Sequence, residues 1–258
     1  MIALLSPAKS LDTESKVVTR KASQPRLLDR SVALIDVMRT KSPDEVADLM
    51  HISAELAALN VERYRDFTVP FTKRNARAAV LLFNGDVYQG LDVRRRFGER
   101  DFTEAQKVIR ILSGLYGVLR PLDLIQPYRL EMGVRLVTDH GGSLYDFWAD
   151  DVTDLVNADL ATSPGPAVVV NLASDEYFRA IRADALEGRL VTPRFLDADA
   201  RGRYRFVSFS AKRARGEMAA WLVLNRVRSV RALQRFDGAG YRFDAKRSTP
   251  DAPVFVRG

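Results

Sequence analysis

The sequence contains no cysteine and only two histidines, His51 and His140, among 258 residues. The first absence excludes disulfides, thiolate nucleophiles, thiolate-held zinc and cysteine-bound iron–sulfur clusters. The second excludes a His-rich metal site, so no metal and no cofactor is expected. No apolar stretch approaches the roughly 20 residues that a bilayer crossing needs, so no membrane partner is expected. The opening Met1–Pro7 has no basic region ahead of its few apolar residues, and a signal peptide is not expected there; the expected location is cytoplasmic. Equally absent are Gly-x-Gly-x-x-Gly after a strand, the phosphate-binding Gly-x4-Gly-Lys-Ser/Thr, the Gly-x-Ser-x-Gly elbow and His-Glu-x-x-His. Dehydrogenase, kinase and common hydrolase readings lose their support with them.

What is present is a globular mixture, 47% hydrophobic and 28% charged, with a net charge of +7. The charge is unevenly placed. Residues 201–258 hold fourteen Lys/Arg against four Asp/Glu, a balance of 14 − 4 = +10. Residues 139–178 hold no Lys or Arg but eight acids: Asp139, Asp146, Asp150, Asp151, Asp154, Asp159, Asp175 and Glu176. A basic surface of this kind concentrates polyanions by long-range attraction, although solvated charges alone would give the same count.

Apolar spacing and capping residues predict interleaved helices and strands. Ile2–Leu5, Ala78–Phe83 and Ala167–Leu172 read as buried strands. Leu190–Leu196 and Tyr204–Phe209 alternate as strands. Helices are expected over Pro25–Arg39, from Pro43 to Met50 behind a Ser42/Glu45 capping box, from Ser53 to Asp66, and from Thr103 to Ile111. Others are expected over Ser143–Leu160, from Ser174 to Arg182, and from Ser210 to Val227. The fold class is therefore α/β or α+β with a mixed sheet, in a single domain spanning 1–258 whose C-terminal part, 201–258, is basic.

Five segments carry candidate chemistry. Ser6-Pro7-Ala8-Lys9 follows a strand, where Lys9 offers a charge for phosphate or is simply a solvated turn residue. Asn84-Gly85-Asp86 is a turn whose Asp86 caps a helix or acts on a substrate. The run from Leu112 to Gly133 places Arg120, Asp123, Arg129 and Glu131 among leucines and aromatics, so these charges are paired or face a cleft. Within it Leu115-Tyr116-Gly117-Val118 matches the core of a helix–hairpin–helix, a motif whose free amides hold phosphates. Tyr116 and Tyr128 are candidate stacking surfaces. Asn171 to Tyr177 is a polar corner between strand and helix. Last, Lys212, Arg213 and Arg215 crowd a helix N-terminus, where the macrodipole disfavours cations.

Taken in order, Ser6–Lys9, Asn84–Tyr88, Ser113–Asp123, Pro127–Gly133, Asn171–Tyr177 and Lys212–Gly216 closely resemble the YaaA family of bacterial peroxide-stress-resistance proteins. The resemblance runs from Ile2 to about Val227. It implies a cytoplasmic protein of unusual α/β topology that limits DNA damage by hydroxyl radicals formed from peroxide and iron. It also implies a helix–hairpin–helix, placed here on Leu115–Arg120, and a positive cleft that binds duplex, bulged or branched DNA without reading its sequence.

Two functional readings follow. In the first, a DNA-binding protein without turnover, favoured as a monomer, lines its groove with Lys9, Arg120, Arg129, Lys212, Arg213 and Arg215. In the second, an enzyme on a nucleotide or nucleobase uses Lys9 as nucleophile or phosphate ligand and Asp86, Asp123 or Glu131 as acid–base group. Iron handling would have to rely on carboxylates and tyrosines, so any effect on iron homeostasis is expected to be indirect.

Overall fold

The four apolar residues Ile2–Leu5 are buried on both faces, as a central strand of a parallel sheet requires. In the computed structural model, which describes residues 1–258, this strand lies at the middle of a five-stranded sheet. The order is Gly117–Leu119, Ile109–Ser113, Ile2–Leu5, Val168–Leu172, Arg189–Val191. All run parallel except the edge strand Gly117–Leu119. Leu5 pairs with both Ile111 and Leu172, so the three central strands end on one edge and deliver their following loops there.

A second sheet of four short strands is built from Arg194–Ala198, Tyr204–Arg205, Arg242–Phe243 and Val254–Arg257. The long helix Ser208–Leu224 touches both Ile2–Leu5 and Arg194–Ala198 and so joins the two sheets. One continuous core of 72 buried residues runs from Met1 to Phe255, so the basic C-terminal part shares the core of the rest. The mixed α/β class is as the sequence predicts.

Several local expectations are corrected. Ala78–Phe83 is not a strand: Ala79–Leu82 forms one helical turn, and Ala79 and Val80 donate their amides to the carbonyls of Asp123 and Pro121. A short, fully buried apolar run satisfies either conformation. The helix expected from Thr103 starts at Glu99, with Asp101 accepting the Gly98 amide at 2.9 Å, and stops at Val108. Ile109–Ser113 is then a strand.

The helix–hairpin–helix does not form on Leu115–Arg120. Ser113 pairs with Gly117 in a β-hairpin, and Gly117 takes φ +66°, which a glycine adopts freely. The same small-apolar-glycine pattern serves a hairpin whose apolar side chains turn into the core. Ser143–Leu160 is broken at Ala149 into Leu144–Trp148 and Asp151–Thr162. Leu190–Leu196 is divided between the two sheets, and only Tyr204–Arg205 of the next run is strand. The helix after Ser174 ends at Phe178. The basic helix begins at Ser208, so Ser210 is not its cap; the Ser210 hydroxyl instead accepts a bond from Arg257 at 3.0 Å.

Candidate functional site

Loops leaving the C-terminal ends of parallel strands are the usual ligand contacts of such sheets. Here three segments meet at that edge. Ser6–Lys9 follows Leu5. Its Ser6 hydroxyl accepts the Ser174 amide at 2.9 Å, which ties it to the loop after Leu172. Tyr88 donates to the Ser6 carbonyl at 3.0 Å, and Gly85 lies so close that an added Cβ would sit 3.1 Å from the Ala8 side chain. The third segment, around Glu131, rests on the hairpin because Gly114 lacks a side chain: a Cβ there would fall 2.2 Å from the Leu130 carbonyl oxygen.

These contacts bring Lys9, Arg129 and Glu131 together. Lys9 Nζ lies 3.1 Å from Glu131 Oε1, and the same oxygen accepts Arg129 Nε and Nη2 at 3.1 and 3.0 Å. The other oxygen, Oε2, is buried and has no hydrogen-bond partner. The group opens on a cleft of about 480 Å³ whose other walls include Gly133, Glu176, Arg135 and His51. His51 is left-handed and closes the helix Pro43–Met50, which turns that end of the helix into the cleft wall. Asp48, His51 and Arg135 were not picked out by sequence as site residues; the motif near the first two, the Ser42/Glu45 capping box, marks only a helix start.

Beneath the cleft, Tyr128 shares a 2.6 Å hydrogen bond with Ser113 Oγ. Burial raises its pKa well above the tyrosine range, the Ser113 bond opposes this and the Glu131 charge adds to it. Tyr128 therefore stays protonated, and being 5% exposed it is a core residue, not a stacking surface. Tyr116 packs edge-on against it with ring centres 5.2 Å apart. Leu115, Tyr116 and Val118 are fully buried, and Gly117 lies under the Trp148 ring. None of the four presents itself to a ligand, because the hairpin is part of the core.

Arg120 and Asp123 form a separate group. Leu119 pairs with Ile111, so Arg120 lies level with Arg110, back from the edge that carries Lys9. Asp123 is wholly buried and accepts Ser23 Oγ at 2.6 Å, the Arg120 amide at 2.8 Å and the Arg120 guanidinium at 3.0 Å. Its oxygens are thus occupied in fixing the fold, and a trough bordered jointly by Lys9, Arg120 and Lys212 is not what these contacts build. Asp86, by contrast, begins the helix Asp86–Leu91 beside the Ser6–Ser10 loop, to which the Asn84 amide donates at Ser10.

The basic helix reaches the same edge through two glycines. A Cβ on Gly90 would fall 2.1 Å from the Arg213 carbonyl oxygen, and one on Gly216 would fall 1.8 Å from that of Val87. The helix Asp86–Leu91 and the first turns of Ser208–Leu224 therefore lie in direct backbone contact. Lys212 and Arg213 are exposed and Arg215 is half-buried, and none of the three has an ion-pair partner. Burial lowers the Arg215 pKa, opposed by the nearby Asp175 charge. Ahead of them, Phe206 and Phe209 stand in solvent. Sequence reading missed this pair, since alternating aromatics look like a half-buried strand.

The acid-rich stretch has the opposite fate. Asp150 pairs with Arg182, Asp151 with Arg30 at 3.0 Å, and Asp159 with Arg26 at 2.6 Å and with Arg110. Burial would raise the Asp159 pKa, but hydrogen bonds from Arg26 and Arg110 hold it below the usual carboxylate range. No three carboxylate or histidine side chains converge as a metal-ligand set. No helix is long and apolar enough to cross a membrane.

The family described as peroxide stress protein YaaA matches residues 1–247. The chain belongs to that family. A UPF0246 protein of Cellvibrio japonicus is 47% identical over 257 residues, covering 100% of this chain and 98% of the relative. UPF0246 proteins of Cupriavidus metallidurans and Cupriavidus pinatubonensis are each 51% identical over 259 residues, with the same coverage. The YaaA resemblance carried by the sequence motifs is thereby shown over the whole fold, and membership of this peroxide stress family supports a role in oxidative stress. The YaaA motifs and the structural site coincide in part: the Ser6–Lys9, Pro127–Gly133 and Asn171–Tyr177 segments supply the sheet edge, whereas much of Ser113–Asp123 supplies the core.

Proposed function

We propose that the protein binds DNA through its phosphates, without sequence preference, as its contribution to peroxide resistance. One observation carries the reading: Lys212, Arg213 and Arg215 crowd together just past the first turn of a helix that has no acidic residue in that turn, and none of the three makes an ion pair. The three cations repel one another with no acid to offset them, and a phosphate placed beside them would relieve that repulsion while lying near the free amides of the first turn. Phosphate contacts position a protein on DNA and carry no base information. Duplex, bulged and branched DNA all offer them. A DNA strand covered in this way is shielded from diffusing hydroxyl radicals, and any effect on iron is then indirect. The test is anisotropy titration of a labelled duplex at 20–200 mM salt: affinity should fall steeply as salt rises. No binding at the lowest salt removes the reading.

The cleft supports a second reading, an enzyme acting on a nucleotide or nucleobase. Its motivation is the 3.1 Å Lys9–Glu131 contact at the wall of the cleft, where Glu131 also has one buried carboxylate oxygen without a partner. Glu131 would act as acid–base group once a shift of its side chain exposes the carboxylate to the cleft, with the exposed Lys9 placed to meet a phosphate. Asp123 has no part in this reading, being buried and fully bonded; Asp86 keeps one. Loss of all turnover in Lys9→Ala with DNA binding kept would favour it.

A further inference from the structure

Phe206 and Phe209 are 59% and 57% exposed, although phenylalanine is among the residues most often buried. They lie three residues apart, so their Cα atoms are separated by at most roughly 10 Å. Phe206 lies in the extended segment before the helix Ser208–Leu224, and Phe209 stands in its first turn. Cations adjoin them. Lys212 and Arg213 follow Phe209 at i+3 and i+4, on its side of the helix, and both are exposed.

Exposed aromatic rings alternating with unneutralised cations suit one kind of partner: a polyanion whose own flat apolar faces are accessible. A single strand of nucleic acid offers phosphates and unstacked bases together, and basic grooves with aromatic platforms bind it through both. An intact duplex offers the phosphates but keeps its base faces stacked. We infer that Phe206, Phe209, Lys212 and Arg213 form a binding surface for unpaired DNA, the two rings stacking on bases and the two cations holding the flanking phosphates. The inference rests on the DNA-binding reading above and adds to it which DNA structure is selected and by which residues.

The experiment compares a labelled twelve-nucleotide oligothymidine with a twelve-base-pair duplex at one ionic strength, using the wild type and the double variant Phe206→Ala/Phe209→Ala. The rings are exposed, so the circular dichroism of the variant should match the wild type. Its affinity for oligothymidine should fall at least about tenfold, with an unchanged salt slope because no charge is lost, while duplex affinity stays within about twofold. Phe206→Tyr/Phe209→Tyr should retain most of the single-strand affinity. If the wild type binds duplex and the double Ala variant binds oligothymidine equally well, this inference falls and the DNA-binding reading stands. If the wild type binds neither DNA, both fall. Capture of the wild type, but not the Ala variant, by anionic phospholipid vesicles, with oligothymidine binding unaltered, would reassign the surface to lipid and overturn the inference.

Discussion

Gly216 meets the carbonyl of Val87 so closely that a Cβ on it would lie 1.8 Å from that oxygen. Gly90 makes the reciprocal approach to Arg213, so the two helices touch along their backbones only because neither position carries a side chain. Gly216→Ala gains about 1 kcal/mol of helix propensity. It must also push the helix from its partner, and overpacking of this kind costs ~1–3 kcal/mol or more. The expected result is a lower denaturation midpoint with an unchanged slope. A midpoint at or above that of the wild type would show that the helices are not in this contact.

Asp159 ties the acid-rich helix to Arg26 and Arg110. Its pKa in the folded chain is below its usual value, so between the two values the unfolded chain binds more protons. The stabilisation is therefore complete above about pH 4, the ordinary aspartate pKa, and is lost as pH falls through the lower folded value. Asp159→Asn should cost ~3–5 kcal/mol near neutrality, because two guanidinium groups lose their buried charge partner. Urea midpoints measured from pH 5 to pH 2 should fall less steeply in the variant. Parallel curves would mean that Asp159 contributes nothing to acid unfolding.

Lys9→Ala separates the two functional readings. The side chain is 65% exposed, so stability should change by no more than about 0.5 kcal/mol. If Lys9 serves only as one phosphate contact, DNA affinity declines and the slope of log affinity against log salt shrinks by about 0.9. If it serves a reaction in the cleft, turnover of a nucleotide substrate disappears while DNA affinity is kept. Glu131→Gln gives the matching control, since it keeps the shape of the cleft and removes the charge that holds Lys9 and Arg129.

The parts legible in the sequence were those decided by neighbours along the chain. Ile2–Leu5 is a short, wholly apolar run, and Val168–Leu172 is apolar but for Asn171. The Ser42/Glu45 box closes as read, with Ser42 Oγ accepting the Glu45 amide at 3.2 Å and Glu45 accepting the Ser42 amide at 2.7 Å. What could not be read depends on strand order. Arg120–Asp123 and Lys9–Glu131 are alike in composition, yet only the second opens on a cleft, because Glu131 is carried to the sheet edge and Arg120 is set back from it. The Leu115–Val118 pattern fits a phosphate-binding hairpin and a core β-hairpin equally well. The choice is made by Trp148 and Tyr128, which pack on it from distant sequence.

Lys212→Ala/Arg213→Ala tests whether the helix start meets phosphates. Both side chains are exposed and form no ion pair, so their removal breaks no salt bridge, and it relieves the repulsion between neighbouring cations. The variant should be as stable as the wild type or slightly more so. Its duplex affinity should fall at every salt concentration, and the log–log salt slope should shrink by about 1.8, two counterion releases at roughly 0.9 each. Duplexes of unrelated sequence should lose affinity equally, since phosphates are common to all of them. A variant that is no weaker in DNA binding, with an unchanged slope, would move the phosphate contacts away from this helix.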